Sequence, residues 1–166
     1  MKRLMMRKVA IDIGCGEEKQ PNHIGLDLRR TEAVDIIADA RCLPFKTESI
    51  DVVYSSHTLE HFGHMEVKEV LCEWVRVLKQ HGQIDLSCPD LRLRSLLFFL
   101  NPSWKNIVNI YGGQDYKHNF HKCGFSFGLL KSLLEESGIG EVKRVISGYK
   151  GIPFLPNNLH VRGRKK

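Results

Sequence analysis

Carboxylates, glycines and a histidine recur in a fixed order over the first third of the chain. A β-branched run from Val9 to Ile13 contains Asp12 and stops at Gly14-Cys15-Gly16. The next run, Ile24-Gly25-Leu26-Asp27-Leu28, ends on a second carboxylate, and Val34 to Ala38 is followed by Asp39-Ala40. A fourth run, Ile50-Asp51-Val52-Val53-Tyr54, leads into Ser55-Ser56-His57. Glycines after the first run let a ligand approach the backbone where a Cβ would collide. An acidic group after the second can accept both hydroxyls of a ribose. Asp39 beside the apolar Leu43-Pro44-Phe45 offers an acceptor next to a surface that suits a purine.

The elements that must carry these groups follow from periodicity. Short, nearly continuous apolar runs read as strands of a parallel sheet covered on both faces, with ligands at their carboxyl ends. After Gly63, Val67, Val70, Leu71, Trp74, Val75 and Leu78 form one helical stripe, which Gly82 is expected to end. Gln83 to Ser87 is a fifth strand, so strand, helix and strand make a parallel crossover. Leu91–Leu100 and Trp104–Tyr111 read as helices split by Asn101-Pro102-Ser103, the first with a core-facing Leu96-Leu97-Phe98-Phe99-Leu100. A polar stretch from Gly112 to Gly124 precedes a helix capped by Ser126, which carries Leu130, Leu133 and Leu134 and stops at Gly138. Val142–Ser147 and, after a loop from Gly148 to Asn158 that holds Pro153 and Pro156, Leu159–Arg162 complete seven strands.

No third glycine and no Gly-Lys-Ser/Thr is present to hold phosphate, so the three strand-end carboxylates describe a site for an uncharged nucleoside with a polar tail. S-adenosylmethionine is such a ligand. The residues from Val9 to Gly16, Gly25 to Leu28, Ala38 to Ala40 with Leu43-Pro44-Phe45, and Ile50 to Phe62 resemble class I S-adenosylmethionine-dependent methyltransferases. The resemblance continues through Trp74 to Gly82, Ser87-Cys88-Pro89-Asp90 and Gly124-Phe125-Ser126, and so covers nearly the whole chain. It implies a three-layer, Rossmann-like α/β fold with a mostly parallel seven-stranded sheet, formed by residues 1–166 as a single domain. It also implies that Gly14 and Gly16 lie against the methionine portion, Asp27 holds the ribose, Asp39 meets the adenine amino group, and His57 faces the reacting methyl. The expected cofactor site draws on Asp12, Gly14, Cys15, Gly16, Asp27, Leu28, Asp39, Ala40, Ser55, Ser56 and His57, with His57 also the candidate base.

The chain departs from the family in its crossovers. Only seven residues, Glu17 to His23, separate Gly16 from Ile24, where a parallel crossover ordinarily takes a dozen or more. Asp27 lies 11 positions past Gly16, against about 20 in nucleotide-binding sheets. The first helices are therefore missing, as in a compact, type-11-like branch of the family, and one sheet face is expected to be thinly covered. A homodimer or a protein partner could cover it.

Other chemistry is weaker. His57-Thr58-Leu59-Glu60-His61 matches an inverted zinc-protease pattern, which would make the chain a zinc hydrolase. Its place after the fourth strand makes Glu60 and His61 helix-start and packing residues instead, with no metal expected. His118, His121 and Cys123 are a second cluster with ligand chemistry, read as a loop on the acceptor side. Cys88 stands where some RNA methyltransferases carry a nucleophile, but no basic neighbour is visible to activate it, so a buried thiol is expected. No Asn-Pro-Pro-Tyr pattern follows the fourth strand, so a nucleic acid acceptor is not favoured over a small molecule or glycan. A non-catalytic, cofactor-binding scaffold is the alternative from another class.

Composition sets the remaining bounds. With 42% hydrophobic and 27% charged residues, the chain is of globular type, and no apolar run approaches the ~18 residues of a membrane span. The five scattered cysteines suit a reducing, cytoplasmic location, and the basic start is cut by Asp12 too early for a signal peptide. The net charge of +6 favours an anionic partner, although a solvated basic tail at Arg162, Arg164, Lys165 and Lys166 accounts for much of it.

Overall fold

The computed structural model describes residues 8–145 and 158–166. Seven strands form one sheet: β1 (Ala10–Ile13), β2 (Ile24–Asp27), β3 (Ile36–Ile37), β4 (Ile50–Ser56), β5 (Leu78–Pro89), β6 (Ile139–Arg144) and β7 (Asn158–Lys165). Their order is β3-β2-β1-β4-β5-β7-β6, parallel except for β7, which runs antiparallel to both neighbours. Among the described residues four α-helices accompany them: α1 (Val67–Val77), α2 (Leu91–Leu100), α3 (Trp104–Tyr111) and α4 (Phe127–Glu136). The expected Rossmann-like α/β architecture is therefore present.

The two faces of the sheet differ in chemistry, because side chains alternate along each strand. Across one face the register aligns Leu26, Ile13, Ser55, Leu86 and Val161, with Ile24, Ile11, Val53 and Ile84 in the adjoining row. These side chains join Leu71 and Trp74 of α1 and Leu130 and Leu134 of α4 in one core. Across the other face the register aligns Asp12, Tyr54, Asp85 and Arg162, flanked by Ser56, Ser87 and His160. Asp85 accepts from His160 Nε2, from Arg162 Nε at 2.9 Å and from Arg162 Nη2 at 2.6 Å. The expectation of cover on both faces is thus corrected: the apolar rows are on one side only, and the other side satisfies itself with polar pairs.

Carboxylates take the place of the missing crossover helices. The buried Asp12 accepts from the Gln20 amide at 2.8 Å, pinning the short β1–β2 link, and Asp35 accepts from the Gly25 amide and from Lys19. An unpaired amide costs about 1–3 kcal/mol when buried, so a loop can replace a helix only if its donors find partners in this way.

Several boundaries move for identifiable reasons. The α1 stripe is as expected up to Val77, but Leu78 already pairs with Ile50 as the first residue of β5. Gly82 bends β5 instead of stopping a helix, since a Cβ there would lie 2.8 Å from the Lys79 carbonyl. β3 shrinks to two residues at the sheet edge, with Asp35 diverted to the Gly25 amide. β6 begins at Ile139, fully buried against β7, rather than at Val142; the later part of the expected strand and the loop from Gly148 lie outside the described residues. Ser103 and Ser126 cap α3 and α4 as expected.

Two larger corrections concern the surface. Arg162, Arg164 and Lys165 are strand residues and not a solvated tail, because β7 is inserted between β5 and β6 and their side chains bond to Asp85 and to the carbonyls of His81 and Leu78. The run Leu96–Leu100 does not face the core: α2 and α3 contain no buried residue, and Phe99 is 81% and Trp104 80% exposed. Among the described residues, no helix is long and apolar enough to cross a membrane.

Burial alone would raise the Asp85 carboxyl, but the hydrogen bonds from His160 and Arg162 outweigh it and hold it below its ordinary value of 3.8. A depressed carboxyl contributes stability that is present above the unfolded value and is lost as pH falls through the folded one. Asp85→Asn should therefore destabilise the protein by about 1–3 kcal/mol at pH 7. In urea melts the gap to wild type should narrow as the pH is taken below about 4.

Candidate active site

The strand order reverses between β1 and β4, and at the carboxyl ends of β1, β2, β3 and β4 a cavity of about 390 Å³ opens. Such a crevice is where parallel α/β sheets bind ligands, and this volume lies in the range of small-molecule sites. The turn after β1 is built by its glycines. Gly14 has φ +72°, and a Cβ there would lie 2.1 Å from Thr58 Oγ1, so the residue after His57 fills the space that a side chain would need. Thr58 Oγ1 also donates to the Ile13 carbonyl at 3.1 Å, which locks the end of β1 to the turn after β4.

Asp27 braces the same turn from the other side. Its Oδ2 accepts from the Gly16 amide at 2.9 Å and its Oδ1 from the Arg29 amide at 2.8 Å. A carboxylate has about four acceptor positions, so positions remain for ligand hydroxyls, although Arg29 Nε lies 3.5 Å from Oδ1. Asp39 also lines the cavity, but Arg41 engages both of its oxygens through Nε and Nη2, and that pairing holds its carboxyl below the ordinary value. An amino group can reach Asp39 only by competing with this guanidinium.

Of the expected cofactor residues, Gly14, Gly16, Asp27, Leu28, Asp39, Ala40, Ser56 and His57 line the cavity. Asp12, Cys15 and Ser55 do not. Asp12 is on the polar face holding Gln20; Ser55 Oγ donates to the Ile13 carbonyl inside the core; Cys15 is buried, its thiol pushed up to about 11 by burial first and by Asp12 and Asp27 next. These three support the wall and do not form it.

His57 ends β4 in the left-handed region, φ 54°, a conformation uncommon for residues other than glycine and concentrated at functional sites. Its amide donates to the Ser87 carbonyl at 2.8 Å. Its Nδ1 lies 3.1 Å from Glu60 Oε1, and its Nε2 lies 2.9 Å from Asn158 Nδ2. A carboxylate accepts and an amide nitrogen donates, so Nδ1 carries the hydrogen and Nε2 the lone pair. This orientation corrects two expectations. Glu60 is not a packing residue: it is 1% exposed and polarises His57. His57 and His61 do not form a helical i, i+4 metal pair, because Leu59–His61 is a single 3₁₀ turn and His57 bonds elsewhere.

Sequence reasoning missed Arg29, Arg41 and Thr58 as lining residues. The Arg29 guanidinium lies 4.6 Å from the centre of the Tyr116 ring, joining the loop after α3 to the turn after β2. Nothing in the spacing of Arg29 and Tyr116 signals that contact, whereas the His57-x-x-Glu60 spacing does signal the dyad. Lys117, His118, Phe120 and Lys122 bring the same loop over the cavity, as expected for His118. His121 is half-buried behind the wall, and Cys123 bonds weakly to the Gly124 carbonyl, so the expected His118, His121 and Cys123 cluster does not assemble. Burial at Cys88, and then the charges of Glu60 and Asp90, push its thiol far above its usual range, which removes it as a nucleophile.

S-adenosylmethionine fits this cavity on the structure's own terms: a glycine turn open at Gly16, acceptor capacity left on Asp27, and an imidazole at the end of β4 whose Nε2 accepts from Asn158. A family model described as a methyltransferase domain matches residues 11–85. No curated protein matches the chain by sequence. Among solved structures, a SAM-dependent methyltransferase from Thermotoga maritima superposes with a TM-score of 0.60 at 19% identity, covering 98% of this chain and 84% of that one. The 1,6-didemethyltoxoflavin-N1-methyltransferase of Burkholderia thailandensis, solved with S-adenosylhomocysteine, gives 0.62 at 13% identity, covering 95% and 71%. A methyltransferase from Haloferax volcanii in complex with the Trm112 methyltransferase activator gives 0.60 at 14%, covering 95% and 82%. At these identities the structural likeness is one of fold, and the matched segment 11–85 contains the glycine turn, Asp27, Asp39 and His57. Residues 11–85 thus match a methyltransferase domain, and the chain has the fold of S-adenosylmethionine-dependent methyltransferases.

Proposed function

We propose that the chain methylates an oxygen or nitrogen atom of a small molecule or glycan, with His57 as the base. The observation that carries this is the His57–Glu60 pair: a buried carboxylate fixes the tautomer in which Nε2 presents a lone pair at the cavity wall. When bound, the cofactor supplies a methyl group activated by its sulfonium, and alignment of the acceptor then carries most of the rate. The glycine turn, open at Gly16, would take its amino-acid portion, Asp27 would accept from its ribose, and Leu28 and Ala40 would flank its base with Asp39. His57 releases Asn158 and takes the acceptor proton as the methyl arrives, while Glu60 steadies the imidazolium. The loop carrying Tyr116, Lys117 and His118 supplies the acceptor side, and the modest cavity favours a small acceptor group.

A protein partner belongs to the same proposal. One structural relative is held with a methyltransferase activator, and the apolar side chains of Phe99 and Trp104 are a surface in this chain that a protein could cover. A cytoplasmic setting is supported by five cysteines that are all free thiols.

Two measurements test the reading. Calorimetry should show binding of S-adenosylmethionine or its demethylated product and none of NAD, with Asp27→Ala weakening it by about 1–3 kcal/mol through loss of charge-assisted hydrogen bonds. Unchanged affinity would remove Asp27 from the site. In an acceptor screen with labelled cofactor, His57→Ala should bind cofactor within a few-fold of wild type and lose roughly 10²–10⁴ in turnover. A parallel fall in affinity and turnover would make His57 a pocket-shaping residue and not the base.

A further inference from the structure

The second oxygen of Glu60 is unaccounted for. Oε1 is held by His57 Nδ1, but Oε2 is buried with no hydrogen-bond partner among the described residues, on a side chain that is 1% exposed. A carboxylate oxygen in that position is costly unless something electropositive meets it. Two imidazoles stand close enough to share a cation with it. Single donor atoms of Glu60, His61 and His121 all lie within 4.8 Å of one another, and the two rings are 5.3 Å apart. In both histidines Nδ1 lies 3.0 Å from a backbone carbonyl, that of Phe120 for His61 and that of Ile110 for His121. A carbonyl can only accept, so each Nδ1 carries the hydrogen and each Nε2 keeps its lone pair. That is the tautomer of a metal-bound histidine, oriented by its second hydrogen bond. The backbone fixes the cluster as well: the amides of Lys122 and Cys123 donate to the Glu60 carbonyl at 2.8 and 3.2 Å, and the His121 amide donates to that of Tyr111 at 2.9 Å.

We propose that Glu60 Oε2, His61 Nε2 and His121 Nε2 form a binding site for a divalent ion of the zinc class in the wall of the cavity. Two imidazoles and one carboxylate are the donor set of zinc sites that leave a position open. A tetrahedral ion with bonds of ~2.1 Å keeps its donors about 3.4 Å apart, so the side chains need draw in by roughly an ångström. His61 lines the cavity and Glu60 also holds His57, so the open position is the place for an oxygen of the acceptor, next to the base. That last assignment rests on the methyl-transfer reading; the site itself rests on the donors. The competitor is Arg94, a half-buried guanidinium whose Nη2 is held by Asn158 and whose charge acts on Glu60 and His121.

The test uses full-length protein carrying Cys42→Ser and Cys72→Ser, which removes the two exposed thiols. After chelator treatment it is titrated with Zn²⁺ and, for its visible d–d absorption, with Co²⁺. One ion per chain is expected, with the spectrum of four-coordinate cobalt on nitrogen and oxygen donors and a melting temperature that rises with zinc. His121→Ala and the isosteric Glu60→Gln should each weaken uptake roughly tenfold or more, with their metal-free melting curves reporting that they fold. No uptake, or uptake indifferent to both substitutions, overturns the site and leaves Arg94 to balance Glu60. Cofactor affinity measured on the same samples separates the two ideas: binding of S-adenosylmethionine without metal uptake defeats this inference and not the methyl-transfer reading, whereas uptake without cofactor binding does the reverse.

Discussion

The contact between Gly14 and Thr58 is the constraint on which the site depends. The end of β1 can meet the turn after β4 only because Gly14 has no Cβ and adopts a positive φ, and the Thr58 methyl and hydroxyl then occupy that space. With Thr58 seated, its hydroxyl bonds the Ile13 carbonyl, His57 is forced into the left-handed region, and the following 3₁₀ turn brings Glu60 Oε1 to its Nδ1. A side chain at position 14 would separate the strands at the point where their order reverses and would displace the glycine turn, the base and its carboxylate together.

Loss of helices on one side of the sheet has a chemical counterpart in the strands. A sheet buried on both faces needs apolar side chains on both, and here only the rows packed on α1 and α4 are apolar. The other rows carry Asp12, Tyr54, Asp85, His160 and Arg162, which bond along and across the strands. The expectation that a dimer or partner could cover a thinned face assumed exposed apolar area there; the rows opposite α1 and α4 are polar instead. The apolar area left open is on α2 and α3 instead, whose helical pattern is sound but whose outward side chains, Phe99 and Trp104 among them, stay exposed.

Buried carboxylates recur as the means of holding short links in place. Asp12 fixes the link after β1, Asp85 ties β7 into the sheet, Asp90 caps α2 and accepts from Arg144, and Glu60 positions a histidine. Burial makes each costly without a partner, and Glu60 Oε2, fully buried with no partner among the described residues, is therefore the informative oxygen.

How much of this was legible depended on the range of the interaction. Local signals determined the strand–helix alternation, the α1 stripe, the serine caps and the order of glycine, Asp27, Asp39 and His57 at successive strand ends, because those depend on periodicity and nearest neighbours. The family resemblance rested on the same residues. Boundaries near Leu78, Gly82 and Ile139 were not legible, since strand pairing with Ile50 and Lys165 overrode local preference. The basic end looked like a tail because nothing local reveals that β7 inserts between β5 and β6, where Arg162 meets Asp85 from 77 positions away. In the same way, Asp12, Cys15 and Ser55 were indistinguishable in sequence from their neighbours in the cavity wall; only the tertiary structure, which commits Asp12 to the Gln20 amide and Ser55 to the Ile13 carbonyl and buries Cys15, decided which reached the ligand side. Glu60 and His61 were visible as a motif, but their union with His121 required the loop after α3 to fold back onto the turn after β4, a long-range closure that only the tertiary structure could specify.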